Sequence, residues 1–233
     1  MLLLEGLELV HGSFRLTADL SVPRGATVAV MGPSGGGKST LLSAIAGFLA
    51  PAAGRVLWDG HDLGPLAPGQ RPVGILFQDN NLFPHLSALQ NVALGLRPTL
   101  HPRPEERARA EAALERVGLG GLGSRRPAQL SGGQQGRAAL ARLLVQDLPL
   151  VLMDEPFAAL GPALKAEMLA LTREVLEGRG ATLLMVTHDP DDARAIAESV
   201  IVVAEGRAAP PVPTGPLLAN PPPALRAYLG RGA

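Results

Sequence analysis

The chain has 233 residues, a formal net charge of +0 from 21 basic and 21 acidic side chains, 3% aromatic residues and no cysteine. That length suits one α/β domain with a sizeable core, while balanced charge and scarce aromatics exclude a global field or stacking surface for nucleic acid. The lack of cysteine excludes disulfides and thiolate metal sites, no apolar run approaches the roughly 18 residues of a membrane span, and Glu5 comes too early for a signal peptide, so the sequence predicts a cytoplasmic protein.

Residues 2–10 and 14–22 alternate in polarity and predict two strands joined by a turn at His11, Gly12 and Ser13. An apolar run at 27–31 predicts the next strand, and the apolar run at 41–49 predicts a helix that begins at Lys38. Short strands follow at 55–58 and 73–77. From 79 to about 147 the character changes to helices and loops, with helices predicted within 84–95, over 104–117 and over 132–146. Pro104 suits a first helical turn, and Glu105 stands four residues before Arg109. Strands at 150–153, 182–186 and 199–204 then alternate with helices at 162–177 and 190–198, which predicts right-handed crossovers and a largely parallel sheet. The tail from Ala208 is rich in proline and is expected to be extended, closing with a short helix at 224–229. No internal repeat is present, so one unit rather than two in tandem is expected.

Between the strand at 27–31 and the following helix lie Gly32, Pro33, Ser34, Gly35, Gly36, Gly37, Lys38, Ser39 and Thr40, which meet the spacing G-x-x-x-x-G-K-S in full. A helix starting at Lys38 presents unpaired N–H groups and roughly half a positive charge, where a polyphosphate can be held. The glycines let the backbone curl around the anion, Lys38 can reach the β- and γ-phosphates, and the Ser39 hydroxyl can ligand Mg²⁺. A Gly-rich turn could merely connect strand to helix. Yet the chain has two lysines, Lys38 and Lys165, against nineteen arginines, and one falls at the required place.

Asp154 and Glu155 end the strand at 150–153, where ligands of open α/β sheets gather. The first carboxylate can hold Mg²⁺ and the second can orient or deprotonate an attacking water, although an acidic pair before Pro156 also reads as a helix cap. Leu130, Ser131, Gly132, Gly133 and Gln134 spell LSGGQ. Ser131 and Gln134 have capping-box spacing, but capping does not need two glycines, which expose N–H groups as an anion site requires.

With these motifs in this order, the sequence resembles the ATP-binding cassette family over nearly its whole length. The resemblance implies a phosphate-loop (P-loop) NTPase α/β core of RecA type with an antiparallel β subdomain and an inserted helical subdomain. It divides the chain into a nucleotide-binding core at 1–78 and 148–208, a helical signature region at 79–147 and a Pro-rich tail at 209–233. It further implies that Gly32 to Ser39 is the Walker A loop, that Gln78 contacts Mg²⁺ and the lytic water, that Glu155 is the catalytic base and that His188 contacts the γ-phosphate. Asp154 closes the Walker B strand. Ser131, Gly132, Gly133 and Gln134 would bind the γ-phosphate of ATP held by a second ATPase subunit.

Two departures stand out. His11 occupies the place where the family usually stacks an aromatic residue on adenine. After Glu155, Ala158-Ala159-Leu160-Gly161 lacks the serine and aspartate of the family's usual loop. The stretch at 71–96 looks like that of ATP-binding subunits of bacterial thiamine importers, with Asn80, Asn81, Leu82 and Phe83 on the surface that receives the permease. The resemblance thus implies ATP and Mg²⁺, a permease, a second copy of the chain, a substrate-binding protein indirectly, no nucleic acid, and a location on the inner face of the cell membrane. An importer for a polyamine, iron or an oxyanion, a soluble cassette ATPase and a non-hydrolysing subunit remain alternatives at this stage.

Overall fold

A computed structural model describes residues 1–79, 81–158 and 160–229, without the side chain of His11. Asn80 and Ala159, named above, therefore lie outside the described residues, as does any stacking role of His11. The strands are β1 (Leu2–His11), β2 (Phe14–Val22), β3 (Thr27–Met31), β4 (Ala53–Trp58), β5 (His61–Asp62), β6 (Val73–Leu76), β7 (Leu150–Asp154), β8 (Thr182–Val186), β9 (Ser199–Ala204), β10 (Arg207–Ala208) and β11 (Val212–Pro213). The helices are α1 (Lys38–Ala46), α2 (Ala88–Ala93), α3 (Pro104–Arg116), α4 (Gly132–Leu144), α5 (Pro162–Glu177), α6 (Pro190–Ile196), α7 (Thr214–Ala219) and α8 (Pro223–Leu229).

One sheet runs in the order β5-β4-β1-β2-β10-β9-β3-β8-β7-β6, with β11 beside β9. Strands β9, β3, β8, β7 and β6 are parallel neighbours, whereas β1, β2, β4 and β5 pair antiparallel. The two-residue β10 joins the halves, pairing parallel with β2 and antiparallel with β9. Every residue of β3 is buried, as expected of a strand flanked on both edges and covered on both faces.

Alternation along these strands divides the core. Val28 and Val30 of β3, with Leu150 and Leu152 of β7, face Leu41, Leu42 and Ile45 of α1 and the antiparallel strands. Ala29, Met31, Val151 and Met153 face the other way, toward Leu140 of α4, Met168 of α5 and Leu225 of α8. Helices α2, α3 and α4 pack on one another, and α4 also meets β6 and α5.

Buried Arg71 fixes the far end of α1. Its guanidinium donates to the carbonyls of Ala44 and Ile45 at 2.9 and 2.8 Å, at the helix end where the dipole favours a cation. The chain can leave there because Gly47 is left-handed, and a Cβ at Gly47 would lie 2.5 Å from Arg71 Nε.

The tail departs from the extended expectation. The closing helix is present as α8, but Thr214–Ala219 also forms α7. Pro216 falls in its first turn, where an N–H would be unpaired anyway, and buried Leu217 and Leu218 supply the packing that proline content hides. Among the described residues no helix is long and apolar enough to cross a membrane.

Candidate functional site

The loop after β3 is shaped by positions that exclude any side chain. Gly32 has φ 151°, and a Cβ there would sit 1.9 Å from the Val203 carbonyl oxygen. Gly37 caps α1 in the left-handed region, and a Cβ there would meet the Phe14 ring at 2.5 Å. The result is a curled backbone opening onto the N-terminus of α1, in a cleft of about 320 Å³ lined by Phe14, Ser34, Gly35, Gly37, Lys38, Ser39, Thr40 and Glu155.

Lys38 is 7% exposed and its Nζ donates to the carbonyls of Gly32 and Pro33 at 2.8 and 3.0 Å. Burial pulls its ammonium below the usual range, against the opposing charges of Glu155 and Asp154. Asp154, at the end of β7, is hydrogen-bonded to Ser39; burial pushes its carboxyl up, and that bond works the other way. A buried cation and a half-buried carboxylate thus converge on the start of α1, a geometry suited to a charged ligand that brings its own counter-charge.

Glu155 follows in the left-handed region at φ 45°, a conformation uncommon for a non-glycine residue. Its N–H donates to the Val186 carbonyl at 3.1 Å, tying it to β8. The turn brings Glu155 Oε2 to 3.3 Å from His188 Nδ1. Both residues also line a small recess with Pro156, Phe157, Thr187 and Asp192.

Other sequence-predicted residues lie elsewhere. Gln78 is exposed just beyond β6, at the sheet edge, and does not line the cleft. Ser131, Gly132, Gly133 and Gln134 begin α4 and do not line it either. Ser131 Oγ accepts from the Gln134 N–H at 3.3 Å and Gln134 Oε1 accepts from the Ser131 N–H at 3.0 Å, forming the capping box. The two glycines differ. A Cβ on Gly133 would strike Leu164 at 2.7 Å, whereas one on Gly132 would meet nothing within 4 Å. Leu164 therefore crowds Gly133 within this chain, whereas nothing crowds Gly132.

Sequence reasoning missed two aromatics. Phe14 packs on Gly37 and lines the cleft; its pairing with His11 across the β1–β2 turn was the available clue. The Tyr228 ring of α8 lies with its centroid 5.8 Å from Lys38 Nζ, and burial, with the Glu155 charge, pushes its hydroxyl up. No sequence signal joins residues so far apart.

Residues 17–158 match the ABC transporter family. The chain belongs to that family. Among curated ABC transporter proteins it is 63% identical to the thiamine import ATP-binding protein ThiQ of Cereibacter sphaeroides, over 99% of this chain and 100% of that protein. The ThiQ of a Ruegeria species is 62% identical over 99% and 100%, and that of Yersinia pestis 50% over 89% and 88%. Among solved ABC transporter structures, the dimeric post-hydrolysis state of an ATP-binding cassette bound to ADP and Pi superposes with a TM-score of 0.81 at 32% identity, covering 92% of this chain and 99% of that one. The dimeric structure of a bacterial ABC transporter cassette gives 0.82 at the same identity and coverage. The fold is that of the family's P-loop NTPase.

Proposed function

We propose that this chain is the ATP-hydrolysing subunit of a bacterial thiamine importer, working as a dimer beneath a membrane permease. The observation that carries the substrate assignment is the end-to-end likeness to thiamine import ATP-binding proteins. The chemistry is supported by the cleft itself. Lys38 would exchange its loop carbonyls for the β- and γ-phosphates, and the N–H groups of residues 35 to 40 would hold the polyphosphate at the start of α1. Phe14 would bound the nucleotide base from the start of β2.

Ser39 and Asp154 fit Mg²⁺, because a hydroxyl and a carboxylate already in contact present the oxygen donors this ion takes, and it keeps places for phosphates and water. Gln78, which lies just beyond β6 and outside this cleft, would have to move inward to join them. Among the described residues no cluster of three or more His, Cys, Asp or Glu side chains is present, as suits an ion held largely by its nucleotide. Bound there, the ion would neutralise charge on the phosphates. Glu155 would orient water and take its proton, and His188 would donate toward the γ-phosphoryl oxygens.

The cleft is half a site on this reading. Ser131, Gly132, Gly133 and Gln134 do not line this chain's own cleft, so they would complete that of a second copy. ATP then favours the closed dimer by its differential affinity for closed and open states. Exposed Phe48, with Phe77 edge-on to it at 5.6 Å beside Gln78, and exposed Phe83 offer apolar side chains for the permease. Phe83 is set there by buried Asn91, whose Oδ1 accepts from the Phe83 N–H and whose Nδ2 donates to three carbonyls nearby. The permease would hold the chain at the inner face of the membrane and receive thiamine from a binding protein.

Reconstitution of the chain with its permease and binding protein in vesicles tests this reading. ATP-dependent accumulation of labelled thiamine is the expected result. ATP hydrolysis that thiamine leaves unchanged, with no thiamine carried, would overturn the substrate while leaving the ATPase in place.

A further inference from the structure

Of the two lysines, the phosphate loop accounts for Lys38 and leaves Lys165 unexplained. Lys165 stands in the first turn of α5 with its side chain 20% exposed. Its Nζ lies 2.5 Å from Asp189 Oδ2 and 2.8 Å from Asp192 Oδ1. These acids belong to the segment that carries His188, and each is fixed a second time within it. Asp192 Oδ2 accepts from Thr187 Oγ1 at 3.0 Å, Asp189 N–H donates to that same hydroxyl at 3.1 Å, and Asp189 Oδ1 accepts from the Asp191 N–H at 2.9 Å. The residues on either side of His188 are therefore both clamped.

His188 itself has a side chain 52% exposed, with Glu155 beside it at 3.3 Å. The backbone at 187 is held by the Thr187 N–H bond to the Val30 carbonyl at 3.3 Å, and that at 189 by the network on Lys165. Burial alone would lower the Lys165 ammonium; its hydrogen bonds to Asp189 and Asp192 outweigh this and raise it, and Lys165 in turn holds Asp189 below the usual carboxylate range. Removing the ammonium would leave two carboxylates side by side with no counter-charge, a strong reason for the loop to move.

The same turn of α5 has a second contact. Leu164, adjacent to Lys165, occupies the space that a Cβ on Gly133 would need. One helical turn thus touches the start of α4 with Leu164 and the His188 loop with Lys165.

We propose that Lys165 is a positioning residue for ATP hydrolysis: it sets His188 against Glu155 from the first turn of α5, the turn whose Leu164 touches the LSGGQ segment. This rests on the reading above, in which LSGGQ serves the partner's ATP and His188 the chain's own.

The test uses the assembled importer with Lys165→Met, Lys165→Arg and His188→Ala. Lys165→Met is expected to lower kcat by about 10- to 100-fold, the scale of a small misplacement of a reacting group, with nucleotide affinity changed less than about twofold. Lys165→Arg should restore most of the rate, since it returns the charge. In the His188→Ala background Lys165→Met should add less than about a twofold loss, because both act through one group. Full turnover by Lys165→Met, or an equal fractional loss in both backgrounds, would overturn the proposal. If Lys165→Met fails to assemble, Asp192→Asn, which keeps shape and removes one charge, carries the same comparison. A wild-type complex with no ATPase at all would instead sink the functional reading itself.

Discussion

Glu155→Gln is expected to bind ATP as the unchanged chain does and to lose turnover by about 10²- to 10⁴-fold, the range over which a positioned general base contributes. The substitution keeps the size and the planar head group, so the left-handed backbone at φ 45° and the N–H bond to Val186 are undisturbed. What it removes is the ability to accept a proton from water beside His188. With hydrolysis blocked, ATP should hold two copies together, and size-exclusion chromatography with ATP should show a dimer that the unchanged chain forms only transiently. An ATPase rate within a few-fold of the unchanged chain would remove Glu155 from its role.

Gly132→Ala is expected to act in opposite directions on the fold and on the chemistry. Nothing lies within 4 Å of the added Cβ and the residue is helical, so replacing glycine should stabilise the isolated chain by roughly 0.4–1 kcal/mol. Thermal melting should rise by about 1–3 °C for a chain of this size. The ATPase of the assembled importer should nevertheless fall by about 10²-fold, comparable to losing one pre-placed backbone donor at a transition state, because a methyl group would then stand between the α4 N-terminus and the partner's γ-phosphate. Gly133 offers no such clean separation, since its Cβ would displace the end of the Leu164 side chain. A Gly132→Ala chain that is both more stable and fully active would place no ligand at LSGGQ.

The parts of this site that the sequence discloses are those whose constraints are local. The phosphate loop is readable because Gly32 and Gly37 sit where only glycine fits, and the capping box because Ser131 and Gln134 lie three apart. The acidic pair is readable because an apolar strand ends there. What stayed hidden depends on distant partners. Lys165 meets Asp189 across 24 residues, and Tyr228 reaches Lys38 from the other end of the chain. The two-residue β10 that closes the two halves into one sheet has no pattern of its own, and α7 was masked by Pro216 and the prolines around it. In the tail, tertiary packing, with Leu217, Leu218 and Leu225 buried, overrides a local composition that reads as extended.

The central claim is that each chain carries half of an ATP site and that hydrolysis needs two. The specific ATPase activity of the purified chain, followed by dilution at saturating ATP and Mg²⁺, tests this most directly. A two-chain site predicts that activity per chain falls in proportion to concentration below the dimer's dissociation constant. An activity per chain that stays constant through the range in which the protein is monomeric would contradict it.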